Sequence, residues 1–259
     1  MIPPEYQLPR SVWDLFANWA QTQPEHTAVI CGSRSVSYRQ LYDGATRIAD
    51  LLLARSVQRG GAIPVLARRT PEMVACFLAV LKAGACYVPI DTESWSDGRI
   101  RWTLSEVKPD FVLDADGSGK YSGDGTGFDL ISYQQIEAAF RDSAPSKANG
   151  AAPVMETTVP VQPTDLAYII FTSGTTSAPK GVMIPHRALL NYVQQGNEET
   201  PFNGNPTPED TLLLIFSPGF DGKRLLPPGL TELIDLRSMH RSPVLGYMQR
   251  RAATYCNSI

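Results

Sequence analysis

The chain has 259 residues, of which 43% are hydrophobic, so it can bury a sizeable core, and its composition excludes an intrinsically disordered protein. Its net charge of −3 argues against nonspecific nucleic-acid binding, which needs a basic surface. The N-terminal MIPPEYQLPR lacks the apolar core of a signal peptide, and no apolar window is long enough to span a bilayer. We therefore expect a cytoplasmic protein that binds neither nucleic acid nor membrane.

Helices in the first half of the chain are predicted from hydrophobic periodicity and from the residues that begin and end them. Ser37 and Gln40 form a capping box at the start of one amphipathic helix. Thr70 and Pro71 begin another helix, and Gly84 ends it. The same patterns predict further helices at residues 12–19 and 100–107, and strands at residues 27–31, 62–67 and 110–114, with one more strand ending at residue 91.

The second half contains a continuous apolar run, residues 166–171, which is typical of a strand buried on both faces of a parallel sheet. Residues 117–127 and 141–164, rich in Gly, Pro and small polar residues, are predicted surface loops. A short strand at 182–184, a helix at 186–195 and a buried strand at 211–216 follow. This alternation predicts an α/β fold, a layered parallel-sheet domain with helices on both faces.

The four cysteines, at positions 31, 76, 86 and 256, show no CxxC spacing. Cys76 and Cys86 lie in apolar surroundings, so we expect reduced, buried thiols. No residue is assigned as a metal ligand.

The chemistry of the chain is concentrated where the apolar run at 166–171 ends. The residues that follow are small and rich in hydroxyl groups, and a lysine comes after them. Glycine can adopt a positive φ, so successive N–H groups can converge on one anion while the hydroxyls bind its oxygens without steric bulk. We therefore predict a phosphate-binding loop formed by Thr172, Ser173, Gly174, Thr175, Thr176 and Lys180.

Two alternatives to this assignment are a Walker A loop and a plain turn. A Walker A loop requires Gly at the position of Pro179 and Ser or Thr at that of Gly181, so the sequence excludes it. If only the three residues TSG are considered, a plain Ser/Thr/Gly turn between two strands stays open as an interpretation. His186, just downstream, is either a ligand-site residue or a helix N-terminal residue that makes local hydrogen bonds.

Residues 172–181, TSGTTSAPKG, resemble the phosphate loop TSG[ST]TGxPKG of adenylate-forming enzymes, the superfamily of acyl-CoA synthetases, luciferases and nonribosomal peptide synthetase adenylation domains. Ser177 replaces the usual Gly, and we expect it to alter loop mobility without abolishing anion binding. SYRQL at 37–41 and LKAGACYVPID at 81–91 are similar to the first and second core motifs of peptide synthetase adenylation domains. Phe220-Asp221 is similar to the start of their fourth core motif, FDxS.

The resemblance implies the N-terminal subdomain part of an adenylate-forming enzyme, incomplete in this chain. It implies ATP-dependent amino-acid activation with ATP and Mg²⁺ as cofactors, a small amino or carboxylic acid as substrate, and a carrier-protein domain on another chain as partner. The six predicted loop residues would hold the β- and γ-phosphates, and Asp221 would pair with the substrate's ammonium group. No catalytic residue is assigned.

The resemblance ends at Asp221, so we predict that residues 1–221 form the N-terminal portion of an adenylation domain and residues 222–259 a divergent tail. The tail has six Lys or Arg against two acidic residues, and it contains neither the family's adenine-binding motif nor its C-terminal lysine motif. We interpret it as an out-of-frame segment or a misassigned exon that adds nothing to the core, and we expect its amides to exchange quickly.

Two further interpretations of the function stay open. One is an inactive remnant with at most a nucleotide-binding or subunit-interaction role, because the activity of so short a chain is expected to be impaired. The other is an acyl-CoA synthetase-like ligase. The residues of the second core motif, LKAGACYVPID, and the presence of Asp221 favour amino-acid activation over an acyl-CoA synthetase-like activity.

Overall fold

The computed structural model describes residues 10–121, 127–141, 160–172, 179–195, 211–214 and 230–233. The helices in these ranges are α1 (Val12–Thr22), α2 (Tyr38–Leu53), α3 (Pro71–Lys82), α4 (Asp97–Val107), α5 (Tyr133–Arg141) and α6 (His186–Gln195). The strands are β1 (Thr27–Cys31), β2 (Arg34–Ser37), β3 (Ala62–Ala67), β4 (Cys86–Asp91), β5 (Phe111–Asp114), β6 (Asp129–Ile131), β7 (Leu166–Thr172), β8 (Lys180–Pro185), β9 (Thr211–Leu214) and β10 (Leu230–Leu233). None of the described helices has the length and apolar character needed to cross a bilayer.

The larger sheet contains six strands in the order β6-β5-β3-β4-β7-β8. Every neighbouring pair is parallel except β7 and β8, which are antiparallel. β3 and β4 pair along their whole length, from Ala62 opposite Cys86 to Ala67 opposite Asp91. The predicted parallel sheet is therefore confirmed, and the carboxyl ends of its parallel strands lie along one edge.

Helices cover both faces of this sheet, because successive residues of each buried strand point to opposite sides. Val65 of β3 belongs to the hydrophobic cluster that contains the buried residues of α2 and α3, whereas the next residue, Leu66, belongs to a second cluster with Ile100 of α4. Every residue of α3 is buried. The expected two-sided layering is confirmed.

The predicted start of α2 and the predicted start and end of α3 are confirmed, whereas α4 begins at Asp97, three residues before the predicted start at residue 100, because Ser96 caps it. Ser37 Oγ accepts a hydrogen bond from the Gln40 N–H at 3.2 Å, and Gln40 Oε1 accepts one from the Ser37 N–H at 2.9 Å. Thr70 Oγ1 accepts from the Met73 N–H at the start of α3. Gly84, which follows the end of α3, has a φ of +73°, a conformation that favours glycine.

The sequence analysis missed four elements: β2, β10, and the pair β6 and α5 that lies between the predicted loops. β6 is only three residues long and lies at the edge of the larger sheet, so it has little hydrophobic pattern of its own. α5 did have a recognisable signal, a capping box: the Ser132 N–H donates to Gln135 Oε1 at 3.0 Å.

The smaller sheet has four strands in the order β2-β1-β10-β9. β1 and β2 are antiparallel, whereas β10 pairs in parallel with β1 on one side and β9 on the other. Val29 lies opposite Thr231, and Leu233 lies opposite Leu214. Because β10 falls within residues 222–259, this part of the tail is paired on both sides and does not lie outside the fold. The boundary at Asp221 stays a prediction, since that residue lies outside the described ranges.

The cysteines that the structure describes are free thiols, as predicted. Cys76 and Cys86 are buried and Cys31 is partly buried. Burial raises the pKa of the Cys86 thiol to about 12, so the thiol stays protonated at neutral pH. Cys256 lies outside the described residues.

Candidate functional site

The candidate site lies at the carboxyl end of β7, where the chain leaves the larger sheet and returns as β8. β7 is held on both sides, because it pairs with β4 at Tyr87–Tyr168 and with β8 along most of its length. Its two faces are packed as well, since Ile170 belongs to one hydrophobic cluster and Phe171 to the other. A strand fixed in this way defines the point at which the loop begins.

Thr172 and Lys180 lie opposite each other at the base of the β7–β8 hairpin. The Thr172 hydroxyl donates to the backbone oxygen of Lys180 at 3.5 Å. Of the predicted site residues, the structure therefore describes two, and it brings these two together. The others lie outside the described residues: Ser173, Gly174, Thr175, Thr176 and Asp221.

The side chains of Thr172 and Lys180 are both exposed. The Lys180 ammonium forms no ion pair with any residue in the described ranges. An exposed hydroxyl group, held within the described ranges only by its long hydrogen bond to Lys180, and an exposed positive charge at the base of the hairpin suit an anion with several oxygens. The geometry of the hairpin base is thus consistent with the predicted chemistry.

Gly181 allows β8 to approach β7 closely beside this base. A Cβ atom at Gly181 would lie 3.1 Å from Ile169 Cγ2 and 3.3 Å from Phe171 Cζ. Both separations are shorter than an ordinary carbon–carbon contact, so a larger residue would push β8 away from β7. The glycine therefore helps to keep Lys180 opposite Thr172.

His186 follows β8 directly and is 1% exposed. Its backbone N–H donates to the backbone oxygen of Asp165 at 2.9 Å. Burial lowers the pKa of the imidazole to about 4, so the ring is neutral at pH 7. Its Nδ1 has no hydrogen-bond partner among the described residues. Of the two predicted roles, this burial favours a structural residue at the start of α6 over a ligand contact.

A second feature of the same sheet edge is a cleft of about 340 Å³ near the ends of β3, β4 and β5. Arg68 and Asp116 line it, with 3.9 Å between Nε and Oδ1, and Lys120 in its wall pairs with Asp97 at 2.6 Å. These charges largely neutralise one another, and neither Thr172 nor Lys180, the predicted site residues within the described ranges, lines the cleft. Sequence spacing carries no signal for it, because its residues come from separate strand ends.

The AMP-binding enzyme family matches residues 16–228, which is most of the chain. Among curated relatives, the nonribosomal peptide synthetase tcpP of Claviceps purpurea (strain 20.1) is 38% identical over 216 residues, or 83% of this chain and 10% of that protein. Tyrocidine synthase 3 of Brevibacillus parabrevis is 33% identical over 219 residues, or 84% of this chain and 3% of that protein. The chain therefore spans a tenth or less of the length of these relatives.

Solved structures share the fold. The complex of VinN with 3-methylaspartate matches with a TM-score of 0.71 at 22% identity, over 90% of this chain and 65% of that one. The Klebsiella oxytoca NpsA N-terminal subdomain in complex with anthranilyl-AMSN matches with a TM-score of 0.65 at 25% identity, over 91% of this chain and 58% of that one. The chain thus belongs to the AMP-binding enzyme family and is the N-terminal part of an adenylation domain of the nonribosomal peptide synthetase type.

Proposed function

We propose that this chain supplies the phosphate-binding part of an enzyme that activates an amino acid with ATP. In that reaction the amino acid's carboxylate attacks the α-phosphorus of ATP, the bond to the β-phosphate oxygen breaks, and pyrophosphate leaves as the aminoacyl-adenylate forms. The observation that carries the proposal is the pairing of Thr172, the first residue of TSGTTSAPKG, with Lys180, its ninth residue. Membership of a family whose enzymes use ATP supports it.

The loop would act by binding the β- and γ-phosphates. Hydroxyl and N–H donors from the predicted loop would orient the two phosphates, while the Lys180 ammonium would stabilise the negative charge that develops on the departing pyrophosphate. The residues proposed for these roles are Thr172, Ser173, Gly174, Thr175, Thr176 and Lys180.

Magnesium would enter this site together with the nucleotide. No three His, Cys, Asp or Glu side chains gather into a metal site within the part of the chain that the structure describes. The Lys180 ammonium has no lone pair and cannot bind a cation, whereas the Thr172 hydroxyl oxygen could supply one Mg²⁺ ligand and the substrate phosphates would supply others. When bound, Mg²⁺ neutralises phosphate charge; the residues of this chain would hold and orient the phosphates.

The acid substrate is proposed to be an amino acid. Asp221 would pair with its α-ammonium group, since a carboxylate that loses water when a substrate binds needs a cation to offset the cost. The similarity to peptide synthetases, and not only to the wider family, supports an amino acid over a fatty acid. A carrier-protein domain would then accept the activated acyl group.

The experiment that tests the whole reaction is amino-acid-dependent exchange of pyrophosphate into ATP. The family's adenine-binding motif and its C-terminal lysine motif are not found among residues 222–259. We therefore expect this chain to bind Mg-ATP with impaired turnover. Exchange driven by amino acids would support activation, and exchange driven only by fatty or aryl acids would indicate an acyl-CoA synthetase-like ligase. Binding of Mg-ATP without exchange would indicate a chain that only binds the nucleotide. Absence of both Mg-ATP binding and exchange would contradict the proposal.

A further inference from the structure

We propose that Arg99 is a positioning residue that fixes the start of the phosphate loop; this inference rests on the proposed function. Arg99 lies in the first turn of α4, where its backbone N–H donates to Ser96 Oγ at 3.3 Å. Its side chain reaches the end of β7, and Nη2 donates to the backbone oxygen of Phe171 at 2.9 Å. Phe171 immediately precedes Thr172, the first residue of the predicted loop.

This hydrogen bond lies near the end of β7, beyond the residue at which β7 is described as pairing with β4. That pairing is at Tyr168–Tyr87, and in the same parallel register Phe171 comes opposite Ile90, near the end of β4. A backbone carbonyl in a largely buried position needs a hydrogen-bond partner, and here a guanidinium supplies one. Arg99 thus secures the last part of β7 from the side of α4.

The guanidinium is held in place by an aromatic side chain. Its central carbon lies 3.8 Å from the centre of the Trp95 ring, a distance typical of a cation–π contact, and Trp95 is itself buried. At the other end of the hydrogen bond, the Phe171 ring packs edge-on against Trp102, with 5.8 Å between ring centroids. Donor and acceptor are therefore both attached to well-packed groups.

Arg99 also keeps one donor without a partner, because its Nε is buried and has no hydrogen-bond partner among the described residues. No acidic side chain in the described ranges forms a salt bridge with it, but the negative charge of Asp91 is near enough to favour the charged guanidinium. Arg99 therefore exerts its effect through the hydrogen bond to Phe171 and not through a net positive potential.

The functional consequence follows from the planarity of the peptide bond. The Phe171 carbonyl and the Thr172 N–H belong to one peptide plane, so a hydrogen bond that fixes the carbonyl also fixes the Thr172 peptide and the direction in which the chain leaves β7. A loop whose starting point is fixed before the ligand arrives orders its donors at a smaller cost on binding. Arg99 therefore acts through the backbone of β7 and needs no contact with the nucleotide.

The test compares Arg99→Gln and Arg99→Lys with Arg101→Gln, which removes an exposed cation from the same helix. Lysine keeps the charge but lacks the planar group that stacks on Trp95 and donates sideways. In both Arg99 variants we expect exchange of the Thr172 amide in the ligand-free chain to accelerate about tenfold and the Kd for Mg-ATP to rise about tenfold. Arg101→Gln should change neither.

The outcomes separate this inference from the proposed function. If the unmodified chain fails to bind Mg-ATP, the proposed function is wrong, and exchange at Thr172 alone then decides the role of Arg99. Unchanged Thr172 exchange in Arg99→Gln would overturn the inference in either case. Faster exchange spread evenly over all strands would also overturn it, because that pattern indicates a general loss of stability and not a local positioning role.

Discussion

Lys180 is the residue on which the proposed phosphate binding depends most directly. Because its side chain is exposed and unpaired within the described ranges, Lys180→Ala should change the free energy of unfolding by less than about 0.5 kcal/mol. Loss of a charge-assisted hydrogen bond should weaken Mg-ATP binding by about 2 kcal/mol, or roughly thirtyfold. Calorimetric titration measures this, with Arg187→Ala, an exposed cation on α6, as the control. Equal affinity in Lys180→Ala and the unmodified chain would refute this role for Lys180.

His186 makes the stability of the fold depend on pH. Burial lowers the pKa of its imidazole from 6.5 to about 4, so the folded state binds a proton less readily than the unfolded state. The stability that results is fully present above the unfolded pKa of 6.5 and is lost as the pH falls towards 4. Acid therefore destabilises the protein through this residue.

The corresponding prediction is a loss of about 2 kcal/mol in unfolding free energy between pH 7 and pH 5 that is attributable to His186. Glutamine does not titrate in this range. Between pH 7 and pH 5, the free energy of unfolding of His186→Gln should therefore fall by about 2 kcal/mol less than that of the unmodified protein. Urea unfolding of both proteins at the two pH values measures the difference. Parallel losses in the two proteins would show that His186 is not the group responsible.

At the scale of elements, those with strong local signals were predictable. β3 was predicted at residues 62–67 and is observed at Ala62–Ala67, because a buried apolar run is visible in the sequence itself. The start of α2 was predictable because its capping box lies within four consecutive residues. β6 and β10 were not predictable in this way, since each is short and is defined by strands distant in the sequence.

The same distinction applies to the candidate site. The hydroxyl groups and the lysine of TSGTTSAPKG are visible in the sequence, and the phosphate-binding chemistry that they indicate stays a prediction. The contact between Arg99 and Phe171 joins residues 72 positions apart, and no local pattern indicates it. Strand order, which places β7 beside β4, likewise depends on tertiary packing.

β10 leads to a prediction about the tail. A strand paired on both sides has its amides in ladder hydrogen bonds, so Thr231 to Leu233 should exchange slowly, at rates close to those of β1. The sequence-based interpretation of residues 222–259 predicts rapid exchange instead. Mass-spectrometric hydrogen exchange distinguishes the two, with β1 as the internal reference. Rapid exchange at residues 231–233 would contradict the central position of β10 in the smaller sheet.

At the scale of the whole molecule, the larger sheet gathers the carboxyl ends of its parallel strands at the edge where the proposed loop begins. β8, the last strand of this sheet, exposes Val182 at 43% and Met183 at 61%. Apolar side chains exposed on an edge strand favour self-association. Binding measurements on this chain should therefore be made at concentrations where sedimentation shows a single species.

The most direct measurement compares the affinities of the unmodified chain for Mg-ATP, Mg-ADP and AMP by calorimetric titration. If Thr172, Lys180 and the residues between them hold the β- and γ-phosphates, affinity should fall stepwise as these phosphates are removed, by about tenfold or more at each step. Equal affinity for Mg-ATP and AMP, or no binding of Mg-ATP, would contradict the phosphate-binding role of the β7–β8 hairpin.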